Sequence, residues 1–247
     1  MGLKEKAVFN WSGGKDSSLA LYKLLQKNSF DIVALLTTVN KEKQRISMHG
    51  VRTELLDQQA ERIGIKSLKI QMPESPTMES YENVMKETLQ HLKDEGVTTS
   101  IFGDINLEDL KAYRENKLAE INMKAVFPLW QQSTTTLIKE FIDLGFKTIT
   151  TCVNEKYLDK SFVGRIIDDD FLKDLPANVD PCGENGEFHT FVFDGPLFKK
   201  PIDFTKGEIV YKKYTSTKQE STTDYDCEDK ENSPYDYGFW FCDLEPA

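Results

Sequence analysis

Six residues near the start of the chain, Ser12-Gly13-Gly14-Lys15-Asp16-Ser17, combine small, charged and hydroxyl side chains in an order suited to holding phosphate. They follow a short apolar run, Ala7 to Trp11, and precede a stretch in which Leu21, Leu24 and Leu25 recur at helical spacing. The two glycines let the backbone turn tightly with its N–H groups inward, which makes an anion-binding nest, and the start of the helix adds its positive dipole end. Ser12 and Ser17 supply hydroxyl donors and Lys15 a positive charge. Asp16 is a ligand for magnesium or a helix cap. The Walker loop requires a glycine five residues before Gly14, where this chain has Phe9, and Ser or Thr after the lysine, where it has Asp16. The dinucleotide fingerprint is absent too, and the plain alternative is a strand-to-helix turn capped by Asp16 or Ser17.

A second concentration of reactive side chains is Cys182-Gly183-Glu184-Asn185-Gly186-Glu187-Phe188-His189-Thr190. Glu184 and Glu187 flank Gly186 in an expected turn, where paired carboxylates bind ammonium, magnesium or a cationic substrate, or stand exposed. His189 is either a general base that also orients an acceptor or a strand histidine with a structural partner. His49 lies in a loop before a glycine and is read as substrate-facing or as a surface residue. Cys182 has no histidine near it in sequence to lower its pKa and is a weak nucleophile. Asp168, Asp169 and Asp170 read as the N-terminal cap of a helix at Phe171, and Trp130 either lines the crevice or packs in it.

These groups must be carried by a fold, and the first 150 or so residues read as strand and helix in alternation. Strands are expected at Ala7 to Trp11, Ile32 to Val39, Ser67 to Gln71, Thr99 to Gly103, Ala125 to Pro128 and Thr148 to Val153. Helical spacing joins Leu56, Ala60 and Ile63, then Met78 to Leu92, then Leu137 to Ile142. The alternation predicts an α/β fold, a doubly wound and mostly parallel sheet covered by helices, with a ligand at the carboxyl ends of its strands. A smaller α+β region is expected to follow. The expected division is a nucleotide-binding domain over 1–154 and a substrate-binding region over 155–247. Within the latter, about 216–236 is polar enough to be expected as a mobile acidic loop, and Tyr237 to Leu244 as a returning strand.

Composition narrows the function classes. With 247 residues, 39% hydrophobic and 29% charged, the chain resembles an ordinary globular protein. No run approaches the ~20 apolar residues of a membrane span, and no apolar leader precedes the first strand, so a cytoplasmic location is expected. A net charge of -10 argues against general nucleic-acid binding. Cys152, Cys182, Cys227 and Cys242 show neither zinc spacing nor a disulfide framework and are expected to be free thiols.

The Ser12–Ser17 loop resembles the pyrophosphatase loop of the N-type ATP pyrophosphatases, which split ATP into AMP and pyrophosphate. Further blocks, Met48-His49-Gly50-Val51-Arg52, Phe102-Gly103-Asp104-Ile105, Tyr113-Arg114-Glu115, Phe127-Pro128-Leu129-Trp130 and the Cys182–Thr190 stretch, are similar to the diphthine-ammonia ligase family over about Lys6 to Ile202. That resemblance implies ATP and magnesium, adenylation of a carboxylate, and displacement of AMP by ammonia. Its acceptor is a modified histidine on translation elongation factor 2. By the same resemblance Ser12, Gly13, Gly14, Lys15, Asp16 and Ser17 hold the phosphates, Thr37 and Thr38 lie near adenine, and Gly103 and Asp104 border the nucleotide, with Asp16 and Asp104 as metal ligands. Glu184, Asn185, Gly186, Glu187, His189 and Thr190, together with His49, form the acceptor side, and Lys15, Asp16, Glu187 and His189 are the catalytic candidates.

Asn185 stands where eukaryotic members carry glycine and His189 where they carry glutamate, which keeps an unknown small-molecule or RNA acceptor in play. A non-catalytic ATP or AMP sensor is the reading from another class, and oligomerisation is left open.

Overall fold

The computed structural model describes residues 4–46, 49–73, 77–214 and 237–247. Its parallel sheet is built from β1 (Glu5–Asn10), β2 (Phe30–Asn40), β4 (Ser67–Met72), β5 (Thr99–Ile101) and β6 (Lys124–Val126), with the two-residue β3 (Arg45–Ile46) antiparallel on β2. The parallel pairs are β2 with β4, β2 with β1, β1 with β5 and β5 with β6. The central β1 is buried on both faces: Phe9 joins one core cluster and Val8 the other. A parallel strand sandwiched between helices needs such a continuous apolar run rather than alternation.

Helices α1 (Lys15–Lys27), α2 (Thr53–Ile63), α3 (Met78–Asp94), α4 (Glu108–Ala119) and α5 (Thr134–Asp143) accompany the sheet. Helix α1 stops at Asn28, whose left-handed backbone (φ 53°) lets its N–H return to the Leu24 carbonyl. The chain runs from β1 outward through β2 to β4, then crosses back to β5 on the other side of β1. That reversal places a crevice between the carboxyl ends of β1 and β5, where open α/β sheets bind ligands.

The second sheet is antiparallel, in the order β8 (Phe188–Asp194), β7 (Lys147–Asn154), β10 (Tyr237–Pro246), β9 (Phe204–Tyr214). Here the sequence reading needs correcting. Thr148 to Val153 was expected among the strands of the alternating part, yet it pairs antiparallel with β8 and β10. Its side chains are all buried, so a buried apolar run identifies a strand without naming its partner. Helix α4 was not anticipated, because its only buried residue is Leu118 and the face it turns to the core carries a weak apolar signal. The expected loop over 216–236 lies outside the described residues. No helix among those described is long and apolar enough to cross a membrane.

Two contacts join the sheets at the crevice. The Val192 N–H donates to the Gly13 carbonyl at 2.9 Å, and the buried Gln59 amide of α2 donates to both Gly13 O (3.0 Å) and Val192 O (2.7 Å). At the far end of β10, Asp243 takes Arg45 and Arg52 at 2.6 Å each. Burial pushes this carboxyl up, but the two guanidiniums more than cancel that and hold it well below the usual range.

Candidate active site

The loop after β1 is shaped by contacts that leave room for glycine alone. Gly13 has φ 75°, and a Cβ there would meet Gln59 Oε1 at 2.7 Å; the same Oε1 accepts the Trp11 indole N–H at 2.9 Å. The Gly14 N–H donates to Ser12 Oγ at 3.2 Å, the Ser17 hydroxyl donates to Gly14 O at 2.9 Å, and the two serine oxygens lie 3.0 Å apart. Helix α1 has no side-chain cap of its own. Instead Thr190, reaching over from β8, accepts the Lys15 N–H with its Oγ1 at 3.0 Å. Thr190 thereby ties the second sheet to the first turn of α1.

Charge is concentrated in a small volume. Lys15 is almost wholly buried, its Nζ 2.7 Å from Asp16 Oδ2 and 5.4 Å above the Phe188 ring. Burial pulls this ammonium down, yet Asp16 more than offsets that and holds it above its ordinary range. Asp16, Asp104 and Glu184 are each pushed up, in every case first by burial. Asp16 also raises the other two through its charge. Asp104 is paired with Arg114 at 2.7 Å, and Glu184 Oε1 accepts the Ile105 and Asn106 N–H groups at 3.0 and 2.9 Å. Carboxylates that crowd and desolvate one another are relieved by a divalent cation. Among the described residues no three acidic, His or Cys side chains gather tightly enough to cage an ion. That donor set fits magnesium, which uses one or two carboxylates and completes its shell with phosphate and water.

His49 and His189 stack face to face, with ring centres 4.5 Å apart and planes 29° from parallel, and His49 Nδ1 lies 3.4 Å from Thr190 O. Burial drives both down, His49 to about 4 and His189 well below its usual value, with Lys15 adding to the effect on each. Both rings are neutral at pH 7. In the unfolded chain a histidine takes up its proton near pH 6.5. Between pH 6.5 and 4 the unfolded state therefore binds the proton that folded His49 refuses, and stability falls as pH falls through that window. His49→Gln is expected to remove about 1–2 kcal/mol of this loss, read as a smaller drop in urea midpoint between pH 7 and pH 5. An unchanged drop contradicts the assignment.

The sequence candidates divide on where their side chains go. Ser12, Gly14, Lys15, Asp16, Ser17, Thr37, Thr38, His49, Gly103, Asp104, Glu184, Asn185, Gly186, His189 and Thr190 border one cleft of about 990 Å³. Thr37 spends its hydroxyl on Trp11 O at 2.6 Å. Gly13 stands behind the loop. Glu187 does not reach the cleft: it is 1% exposed and accepts the N–H groups of Asp180 (3.0 Å) and Asn185 (2.8 Å) and the Asn185 amide (3.0 Å). This carboxylate holds its own loop in shape, so its expected catalytic role is not borne out by its position.

Asp168 caps α6 (Asp169–Asp174) by accepting the Phe171 N–H at 2.9 Å. Trp130 packs against Phe127 and under Lys111, away from the cleft lining. Cys152, Cys182 and Cys242 are free and buried, and burial raises the Cys182 thiol. Sequence reasoning missed the far wall of the cleft, where α3 and α4 contribute Tyr81, Met85, Tyr113, Arg114 and Lys117. The only signal for it was the Tyr113-Arg114-Glu115 block.

The sequence profile of the diphthamide synthase N-terminal domain matches residues 5–125, and that of the C-terminal domain matches residues 133–222. The chain belongs to the diphthamide synthase family. Among curated members it is 28% identical to the diphthine–ammonia ligase of Danio rerio over 81% of this chain and 86% of that protein. It is 31% identical to the enzyme of that name from Schizosaccharomyces pombe, covering 61% of this chain and 26% of the yeast protein. Against the Bos taurus protein the figures are 32% identity, 50% and 49%. The match thus spans half or less of those last two proteins. A solved U34-tRNA thiolase from Methanococcus maripaludis, which carries a [4Fe-4S] cluster, aligns over 58% of each chain at 21% identity and a TM-score of 0.35. That likeness is too slight to bear on cofactor or substrate.

Proposed function

We propose that this member of the diphthamide synthase family is an ATP-dependent ligase that forms a carbon–nitrogen bond by adenylating a carboxylate. One observation carries the reading: a glycine-built phosphate nest at the sheet's switch point faces carboxylates that are destabilised without a cation. The relatives' name, diphthine–ammonia ligase, suggests diphthine as acceptor and ammonia as nitrogen donor, and the family resemblance implies that this diphthine is carried on elongation factor 2. A cytoplasmic location is part of the same proposal, because an elongation factor works there. Asn185 and His189, which depart from the eukaryotic pattern, favour a different carboxylate as the second reading. On the same reading the nucleotide-binding part ends between residues 125 and 133, where the two matched regions part, rather than at 154.

Chemically, a carboxylate oxygen attacks the α-phosphorus of ATP, the bond to the β-phosphate oxygen breaks, and pyrophosphate leaves. The nitrogen lone pair of ammonia then attacks the acyl carbon, and AMP departs with the former carboxylate oxygen. The Ser12–Ser17 nest and Lys15 hold the phosphates and meet the charge that builds on the leaving pyrophosphate. Asp16 and Asp104 would hold magnesium, which would supply charge neutralisation at the phosphates. Thr38 borders the adenine, and Gly103 lets the first turn of α1, with its phosphate loop, lie close to the end of β5. His189, kept neutral at the cleft wall, accepts a hydrogen bond from the attacking nitrogen and orients it, and the proton that nitrogen sheds passes to solvent. Glu187 acts only through its loop. Phosphorus NMR of the products tests the reading: AMP with pyrophosphate supports it, while ADP with phosphate, or bound ATP that stays intact in the presence of acceptor and ammonia, overturns it.

A further inference from the structure

The cleft does not end at the phosphate nest. Past Asp104 it opens into an arm between α3 and α4, and Arg114 of α4 stands at the junction. Its guanidinium lies 4.3 Å over the Phe102 ring, and Nη1 donates to Asp104 Oδ2 at 2.7 Å. The ring backs the guanidinium and Asp104 takes one of its N–H groups. The remaining N–H groups meet no protein partner among the described residues, and the side chain is 27% exposed in the cleft wall. A guanidinium backed by a ring, with N–H groups left over on the cleft side, can grip a carboxylate through two parallel hydrogen bonds.

The other cations are committed elsewhere. Lys15 is buried against Asp16 at 2.7 Å; Lys117 lies 2.7 Å from Glu82, itself bonded by the Tyr113 hydroxyl at 3.1 Å; Lys86 faces Glu120 at 3.5 Å. An acceptor carboxylate entering beside Asp16, Asp104 and Glu184 meets like charge in a desolvated space, which a cation on its own side offsets.

We propose that Arg114 anchors the acceptor's carboxylate and that the arm between α3 and α4 receives the rest of the acceptor along Tyr81, Met85 and Tyr113. This rests on the adenylation reading and adds to it the side from which the acceptor approaches.

The test compares wild type with Arg114→Lys and Arg114→Ala, using ATP by calorimetry and diphthine-bearing elongation factor 2 in an AMP-forming assay. ATP affinity is expected to stay within about threefold, while the acceptor KM rises about 30-fold or more in the alanine variant and about tenfold in the lysine variant, which keeps charge but loses the fork. Free guanidinium ion restores part of the alanine variant's loss, an effect that a merely structural role does not show. An unchanged acceptor KM in both variants, or ATP affinity falling as far as acceptor affinity, overturns the proposal. If the alanine variant does not fold, the lysine variant decides by the same comparison. Wild type that makes no AMP overturns the adenylation reading instead. The anchor is then judged with succinate as a bare carboxylate probe, and equal succinate binding by wild type and the variants overturns it.

Discussion

Asp16→Asn lowers the rate of AMP formation by about 10²–10³-fold, the scale set by losing one preorganised electrostatic group. The substitution keeps the shape of the side chain and an oxygen for the 2.7 Å contact with Lys15 Nζ, so the fold survives. What it removes is charge, and two consequences follow. On the proposed reading magnesium loses one of its two protein ligands, and Lys15 loses the first of the groups, Asp16 ahead of Cys182 and Glu184, that offset its burial. The lysine variant of the same pair is the natural comparison. In Lys15→Met the metal ligands remain, so turnover falls while binding of magnesium with ATP persists. Steady-state assays of AMP release, with circular dichroism as a check on folding, measure both. A loss under about tenfold for Asp16→Asn removes Asp16 from the catalytic set.

Gly103→Ala is the second large effect, and it arises from backbone alone. A Cβ at Gly103 would lie 3.0 Å from the Ser17 nitrogen, 3.1 Å from Ser17 Cα and 3.2 Å from the Asp16 carbonyl carbon. None of these is the end of a flexible side chain that could swing aside. The first turn of α1 must move off β5 and take the phosphate loop with it. Overpacking of this kind costs about 1–3 kcal/mol of stability, and ATP affinity is expected to fall by about 30-fold or more, since a displacement of this size in a phosphate nest separates donors from oxygens. Gly145→Ala is the control: φ is 82° there, but a Cβ would meet nothing within 4 Å. It should pay only the left-handed backbone penalty of about 1–2 kcal/mol and leave ATP binding alone. Equal ATP affinities for the two variants contradict the close approach of β5 to α1.

The contrast between these glycines marks what a sequence makes legible. Gly13 and Gly14 announce themselves because they sit between a strand-like and a helix-like segment, and the nest follows from backbone geometry that needs no partner. Gly103 and Asp104 follow from the end of an apolar run. The role of Glu187 could not be read in the same way. Whether a carboxylate points into a cleft or back into its own loop is decided by the turn it sits in, and here the left-handed Gly183 and Gly186 fold the chain so that Asp180 and Asn185 claim it.

Strand β7 was legible as a strand and misplaced as to sheet, since a buried run such as Thr-Ile-Thr-Thr-Cys-Val satisfies either pairing. Arg114 was hidden because it belongs to a helix with little apolar face, and its interest comes from Phe102 and Asp104, which chain topology rather than sequence brings beneath it. Thr190 is the converse case. It lines the cleft and also accepts the first N–H of a helix 175 positions away, a contact that no local pattern announces.

The central claim is that a carboxylate oxygen attacks the α-phosphorus before nitrogen replaces it, so one carboxylate oxygen must leave with AMP. Wild-type protein is given ATP, ammonia and elongation factor 2 whose diphthine carboxylate carries oxygen-18, and the AMP is weighed by mass spectrometry. One oxygen-18 in each AMP formed is the predicted result. AMP without label, or label recovered in inorganic phosphate, contradicts adenylation of the acceptor.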